Sequence, residues 1–272
     1  IVARTEEPEA PDTTPASDGR SISKDDLNRL PIRAYEGPIR LINDRAQLKE
    51  CVDQLSREAL LGFDTETRPA FERGVSYPPA LMQLATEREV FVFQFQALGG
   101  LGALRDILES PRVIKAGVAL SDDIKQLNDV WKFKPKSFIE IGFMAKELGY
   151  KQTGLRSLAG LLLGFRISKK EQRSNWARPS LSRSQIVYAA TDAWVSRELY
   201  LKLLAQWGDR PRPSEVDPLT PVPTPRKERA GNKSPESRPA RKREKSETGI
   251  AHTPELPGMV WSETVSSESL VS

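Results

Sequence analysis

Two pairs of acidic and phenolic residues are spaced in ways that allow chemistry. Asp64 and Glu66 lie two apart at the end of the apolar run Leu60–Thr65. If that run is a strand, positions i and i+2 point to one face, so the two carboxylates share a side. Like charges held together in a low dielectric repel or force protonation, and a divalent cation removes that cost. Hard oxygen donors of this kind favour Mg²⁺ or Mn²⁺. Tyr188 and Asp192 lie four apart in the segment Gln185–Trp194, which on a helix places phenol beside carboxylate. Asp122 and Asp123 open a further helical segment after Gly117. Each motif alone has an ordinary explanation. Asp64–Glu66 can be a strand running out into a solvated loop, and a half-buried Tyr beside an exposed Asp is common on helices. Acids in a first helical turn usually just complement the dipole.

Composition narrows the chemistry. Cys51 is the only cysteine and His252 the only histidine of 272 residues. An intrachain disulfide, Cys- or His-based zinc sites, and Ser-His-Asp or Cys-His catalysis within one chain are therefore excluded. Any catalysis must come from carboxylates, Tyr, Lys, Ser or Thr. Between Arg210 and Lys245, eleven Lys and Arg face five acids, about +6 against +4 for the whole chain, so the remainder is slightly acidic. An acidic body with a basic tail suits a polyanionic partner, although many basic tails only promote solubility. The longest apolar stretch, Leu158–Phe165, is too short to cross a bilayer, so no membrane association is expected. The chain opens with Ile1 rather than Met and shows no secretory signal; a cytoplasmic location, or a nuclear one in a eukaryote, is expected.

The elements that must position these residues follow from apolar patterning. Strands are predicted at Ile39–Ile42, Leu60–Thr65, Ala80–Ala85, Val90–Phe95, Val113–Val118 and Ser137–Ile141. The third and fourth, joined by the charged turn Thr86–Glu89, form an antiparallel hairpin. Helices are predicted at Arg45–Arg57 (capped by Asn43 or Asp44), Leu101–Glu109, Asp122–Trp131, Phe143–Leu148 and Leu155–Leu163. A final long helix runs from about Ser182 to Trp207. Hairpin strands first and βαβ units later imply a mixed α/β sheet flanked by helices. Residues 1–20 and 209–272 are too polar and Pro-rich to bury a core, and are expected to be disordered tails around a domain at 37–207.

Taken together and in order, the segments resemble the three exonuclease motifs of the DEDD superfamily, in its tyrosine-bearing branch. Phe63-Asp64-Thr65-Glu66-Thr67 is similar to motif I. Lys115-Ala116-Gly117-Val118 through Ser121-Asp122-Asp123 is similar to motif II, and Tyr188-Ala189-Ala190-Thr191-Asp192-Ala193 to motif III. The likeness extends over about Gly37 to Trp207, including Leu81-Met82-Gln83-Leu84 and Ser174-Asn175-Trp176. It is similar to the exonuclease domain of Werner-type helicases and to ribonuclease D.

This resemblance implies an RNase H-like, five-stranded mixed sheet and two divalent ions, Mg²⁺ or Mn²⁺, held by Asp64, Glu66, Asp123 and Asp192. Asp123 is preferred to Asp122 because it stands six residues after Gly117. Two cations about 4 Å apart would activate a water and stabilise the departing 3′ oxygen of a phosphodiester. Tyr188 would orient that water rather than act as the base, since a phenol normally titrates near 10. The implied activity is 3′–5′ exonucleolytic release of nucleoside 5′-monophosphates from DNA or RNA with a free 3′ end. Alternatives are RNA 3′-end processing of ribonuclease D type, and a non-catalytic nucleic-acid-binding adaptor, which would predict lost acids. Trp176, Arg173 and Lys170, with Lys169 and Arg178, fall where such enzymes approach substrate; Trp176 could equally cover the last helix, and the cations could form a solvated loop. Lys115 reads as structural. The basic run Arg238–Lys245 reads as a nuclear signal, a nucleic-acid-holding tail or soluble disorder. Oligomeric state is left open.

Overall fold

Continuous apolar runs build the sheet, whose central strands are buried on both faces, and apolar i, i+3, i+4 spacing builds the helices laid on it. The computed structural model describes residues 19–72, 74–213 and 215. In chain order the elements are α1 (Lys24–Arg29), β1 (Ile39–Ile42), α2 (Leu48–Leu55), β2 (Leu60–Thr67), β3 (Pro79–Ala85), β4 (Val90–Gln94), α3 (Phe95–Leu98) and α4 (Leu104–Leu108). They continue as β5 (Ile114–Gly117), α5 (Leu120–Val130), β6 (Phe138–Glu140), α6 (Ile141–Glu147), α7 (Leu155–Leu158) with a π-helical turn at Ala159–Leu163, and α8 (Arg183–Trp207). All six expected strands form, in one sheet of order β1-β4-β3-β2-β5-β6. The count is six rather than five, because β1 adds to the β4 edge in parallel. β2, β3 and β4 form an antiparallel meander, and β5 and β6 extend it in parallel from β2.

One face is covered by α2, α4 and α5 over Leu61, Phe63, Met82, Leu84, Phe91 and Phe93. In α2 the buried residues Leu48, Cys51, Val52 and Leu55 make one stripe, as an amphipathic helix requires. The other face is covered by α8, which packs small residues against β3 and β4 and larger ones against β5, β6 and α6. Lys115 is fully buried on β5, and its amine donates to the Ile107 and Ser110 carbonyls at 2.9 Å each, tying α4 to the sheet.

Several expected boundaries move. Phe95 opens a helix instead of ending a strand, and α4 starts at Leu104 because Leu101–Ala103 forms a turn after Gly99 and Gly100. The helix expected from Arg45 begins with a 3₁₀ turn whose cap is Asp44, accepting from the Ala46 amide. α1 has no counterpart in the sequence reading, because it buries no side chain and shows no apolar stripe.

The ordered unit also extends past both expected limits. Arg33 donates its amide to the Arg166 carbonyl, and the Tyr35 amide donates to Thr191 Oγ1 on α8, so the chain is fixed before residue 37. The Lys151 amide reaches the Arg20 carbonyl. Beyond Trp207, the Glu215 carboxylate accepts from the Ser137 amide at 2.7 Å and the Ser137 hydroxyl at 3.2 Å. A disordered tail starting at 209 is thus incorrect for 209–213 and 215. Residues 1–18 and those after 215, including Arg238–Lys245 and His252, lie outside the described residues. Among the described residues no helix is long and apolar enough to cross a membrane.

Candidate active site

Backbone proximity creates the site. Gly62 lies two residues before Asp64 on β2, and a Cβ there would sit 2.0 Å from the Ala193 carbonyl oxygen of α8. Only glycine permits this contact. Ala189, Ala190 and Ala193 are fully buried at the same interface, so α8 can lie directly on the sheet. The consequence is that Asp64, Glu66 and Asp192 converge, with carboxylate oxygens within 4.8 Å of one another. A register shift interrupts the β2–β3 pairing between Glu66 and Thr67, and β2 ends at Thr67. Bulges commonly turn a strand out of its ladder beside a functional site.

Asp123 arrives from the other side. Its Oδ1 accepts the hydroxyl of Thr65, whose side chain alternates away from those of Asp64 and Glu66. It is therefore outside the tight trio, although its charge still acts on Asp64 and Glu66. Asp122 is exposed, which fits Asp123 as the inward acid. Two features aim α5. A Cβ on Gly117 would meet the Phe63 carbonyl at 2.6 Å, so β5 ends tight against β2. Glu140, at the end of β6, accepts from the Ala119 and Leu120 amides at 2.9 and 2.8 Å and from the Gly142 amide at 3.0 Å. One buried carboxylate thus caps α5 and α6 together. The sequence reading missed Glu140, because a lone acid between two apolar residues carries no signal until the helix ends meet around it.

Tyr188 projects beside Asp192, as the four-residue spacing requires, and the two groups act on each other electrostatically. Behind the phenol stands Trp176, with ring centroids 5.8 Å apart and tilted by 40°. Trp176 is 0% exposed, so it does not offer a face to a nucleobase; it packs behind Tyr188. The loop carrying it is fastened at two points. Gln94 Nε2 donates to the Arg178 and Pro179 carbonyls, and Gln185 Nε2 donates to Ser174 Oγ and the Asn175 carbonyl. Lys169, Lys170, Arg173 and Arg178 are exposed around it. Lys170 also lines a cavity of about 170 Å³ beside Tyr188 and Asp192, walled by Ile32, Ala34, Ile167 and Val187.

Burial dominates the electrostatics, and the crowding of acids adds to it. Burial, then Glu66, Asp192 and Asp123, hold Asp64 well above the usual carboxylate range. Burial followed by Asp192 and Asp123 does the same to Glu66. Burial pushes Asp123 up to about 7 despite the Thr65 hydrogen bond, and pushes Asp192 up to about 7 despite Tyr188. The Tyr188 phenol is also raised, first by burial and then by the Asp192 and Glu66 charges, so it stays protonated. Asp192 Oδ1 is buried with no protein partner. An orphaned oxygen among clustered carboxylates fits a divalent cation, and the donor set is wholly hard oxygen.

A mixed α/β sheet whose central strand presents paired acids to a Tyr-x-x-x-Asp helix defines a domain centred on a carboxylate cluster. Residues 39–207 match the 3′-5′ exonuclease family, and the chain belongs to it. It is 29% identical to ribonuclease D of Haemophilus influenzae, over 59% of this chain and 40% of that one. It is 30% identical to the bifunctional 3′-5′ exonuclease/ATP-dependent helicase WRN of Mus musculus, over 65% of this chain and 13% of that protein. The Nibbler EXO domain of Aedes aegypti shares the fold, with a TM-score of 0.59 at 22% identity, covering 65% of this chain and 92% of that domain. The chain spans less than half the length of the curated relatives it matches.

Proposed function

We propose that this chain hydrolyses phosphodiester bonds at the 3′ end of nucleic acids, releasing nucleoside 5′-monophosphates. The observation that carries the reading is the meeting of Asp64, Glu66 and Asp192 within 4.8 Å, beside Tyr188. These three acids, with Asp123, are the residues to hold Mg²⁺ or Mn²⁺. When bound, such ions supply the positive charge that an anionic phosphodiester and a departing 3′ oxygen require. Tyr188 stays protonated, so it serves as a hydrogen-bonding group that aims the attacking water, not as the base. Trp176 fixes the phenol ring from behind. Lys170 and Arg173, both exposed on the loop before Trp176, would meet phosphates of the substrate.

Likeness to ribonuclease D supports RNA among the substrates. The test is a side-by-side digestion of matched DNA and RNA, single- and double-stranded, with Mg²⁺ or Mn²⁺. Stepwise shortening from the 3′ end that stops with EDTA supports the proposal. No metal-dependent shortening of any strand refutes it.

A further inference from the structure

The loop that follows β2 after Thr67 carries an aromatic side chain that the chemistry at the carboxylates does not use. Phe71 is 77% exposed, the most exposed of the large apolar side chains in the described residues. A single exposed apolar side chain is ordinary on a protein surface, so its neighbours and its place decide what it can do. Its ring is not left to rotate freely: the Arg173 guanidinium lies 5.5 Å from the ring centroid, a cation–π contact joining two loops distant in sequence. In the same loop Arg68 lies over the Tyr77 ring at 4.7 Å. Two aromatic rings, each with an arginine, therefore stand on the segment that follows the paired acids.

Both sides of this bridge lead back to the site. Phe71 is five residues after Glu66, and chain geometry keeps it within about 18 Å of that acid. Arg173 is three residues before Trp176, which packs on Tyr188, and its loop is held by Gln94 and Gln185. The platform is consequently positioned by the same elements that position the acids.

We infer that Phe71, backed by Arg173, is a stacking platform for a nucleobase of a single strand a few nucleotides upstream of the 3′ end. The ring supplies a sequence-tolerant π-face and the arginines supply charge for the adjoining phosphates, the combination by which single strands are held without base readout. This inference rests on the nuclease reading for the direction of the strand, but not for binding itself.

The test uses the full chain. In an Asp192→Asn background, anisotropy of labelled 20-mers of single-stranded DNA and RNA measures binding without cleavage. Phe71→Ala should weaken it about 5- to 100-fold while Phe71→Trp retains it. In the active protein, Phe71→Ala should raise KM for those oligomers. It should leave turnover of the p-nitrophenyl ester of thymidine 5′-monophosphate unchanged, because that compound is too short to reach the ring. A 2-aminopurine walked through the first six positions from the 3′ end should change fluorescence at one position in wild type and not in Phe71→Ala. Thermal unfolding checks that the exposed substitution leaves the fold intact. Equal affinity and KM for Phe71→Ala and wild type, with no position-dependent signal, would overturn the inference and leave the nuclease reading standing. Phe71-dependent binding in a protein that trims nothing would support the platform while removing the nuclease.

Discussion

Gly62 and the Ala193 carbonyl oxygen are so close that a single added Cβ would lie 2.0 Å from that oxygen. This contact sits two residues from Asp64 and one from Asp192, so the separation of β2 and α8 sets the separation of the acids. Gly62→Ala has no flexible side-chain end to displace, only backbone. It should cost about 1–3 kcal/mol of stability, as overpacked interiors do. The variant should also bind Mn²⁺ more weakly than wild type at a temperature where both are folded. Unchanged unfolding temperature and cation affinity would show that α8 is not held by this contact.

The raised carboxylates make a signed prediction about pH. A carboxyl whose folded pKa is raised binds protons that the unfolded chain has already lost. Its contribution is therefore present below about pH 4 and disappears as pH rises through about 7, the value for Asp123 and Asp192. Metal-free protein should accordingly lose stability between pH 5 and 8. A shift from 3.8 to about 7 corresponds to at most about 4 kcal/mol at pH 8, shared among coupled acids. Asp192→Asn should thus raise the metal-free unfolding temperature at pH 8, and added Mg²⁺ should raise wild type but not the variant. A variant less stable than wild type at pH 8 would show that the acids do not strain the apo fold.

Tyr188 separates positioning from binding. Tyr188→Phe keeps the ring that packs on Trp176 and removes only the hydroxyl, so turnover should fall by roughly ten- to a thousandfold with cation affinity nearly unchanged. Because the phenol stays protonated, no loss of rate attributable to its ionisation should appear up to pH 9. An unchanged rate for the variant would remove its proposed role.

Glu140 is predicted to act at a distance through α5. Glu140→Ala leaves the Ala119, Leu120 and Gly142 amides without their acceptor, costing about 2–4 kcal/mol. Since Asp123 lies in the first turn of α5, the variant should also have a higher Mn²⁺ dissociation constant. Glu140→Gln, which keeps one acceptor oxygen, should fall between the two proteins. Calorimetry on all three decides it.

What the sequence made legible were the elements whose signal is local. Apolar runs marked all six strands, Ser182 and Gln185 formed the expected start of α8 with a reciprocal cap, and two-residue and four-residue spacings placed Asp64 with Glu66 and Tyr188 with Asp192. Features that depend on a distant surface were not legible. For Trp176 the sequence left two readings, a substrate contact or a cover for the last helix, and only the fold decides for the second: it is buried against Tyr188 and the α8 interface. Glu215 looks like part of a polar tail, yet its carboxylate accepts from the amide of Ser137, whose backbone has φ of 52° and whose hydroxyl also donates to the Pro111 carbonyl. Gly62 is unremarkable until α8 is laid across it.

Calorimetric titration of Mn²⁺ into metal-free protein at pH 8 probes the central claim most directly, because it needs neither a substrate nor a turnover. Wild type should bind the ion, and Asp64→Ala and Asp192→Ala should each lose most of that binding while remaining folded. Binding in both variants indistinguishable from wild type would mean that the converging acids do not share a cation.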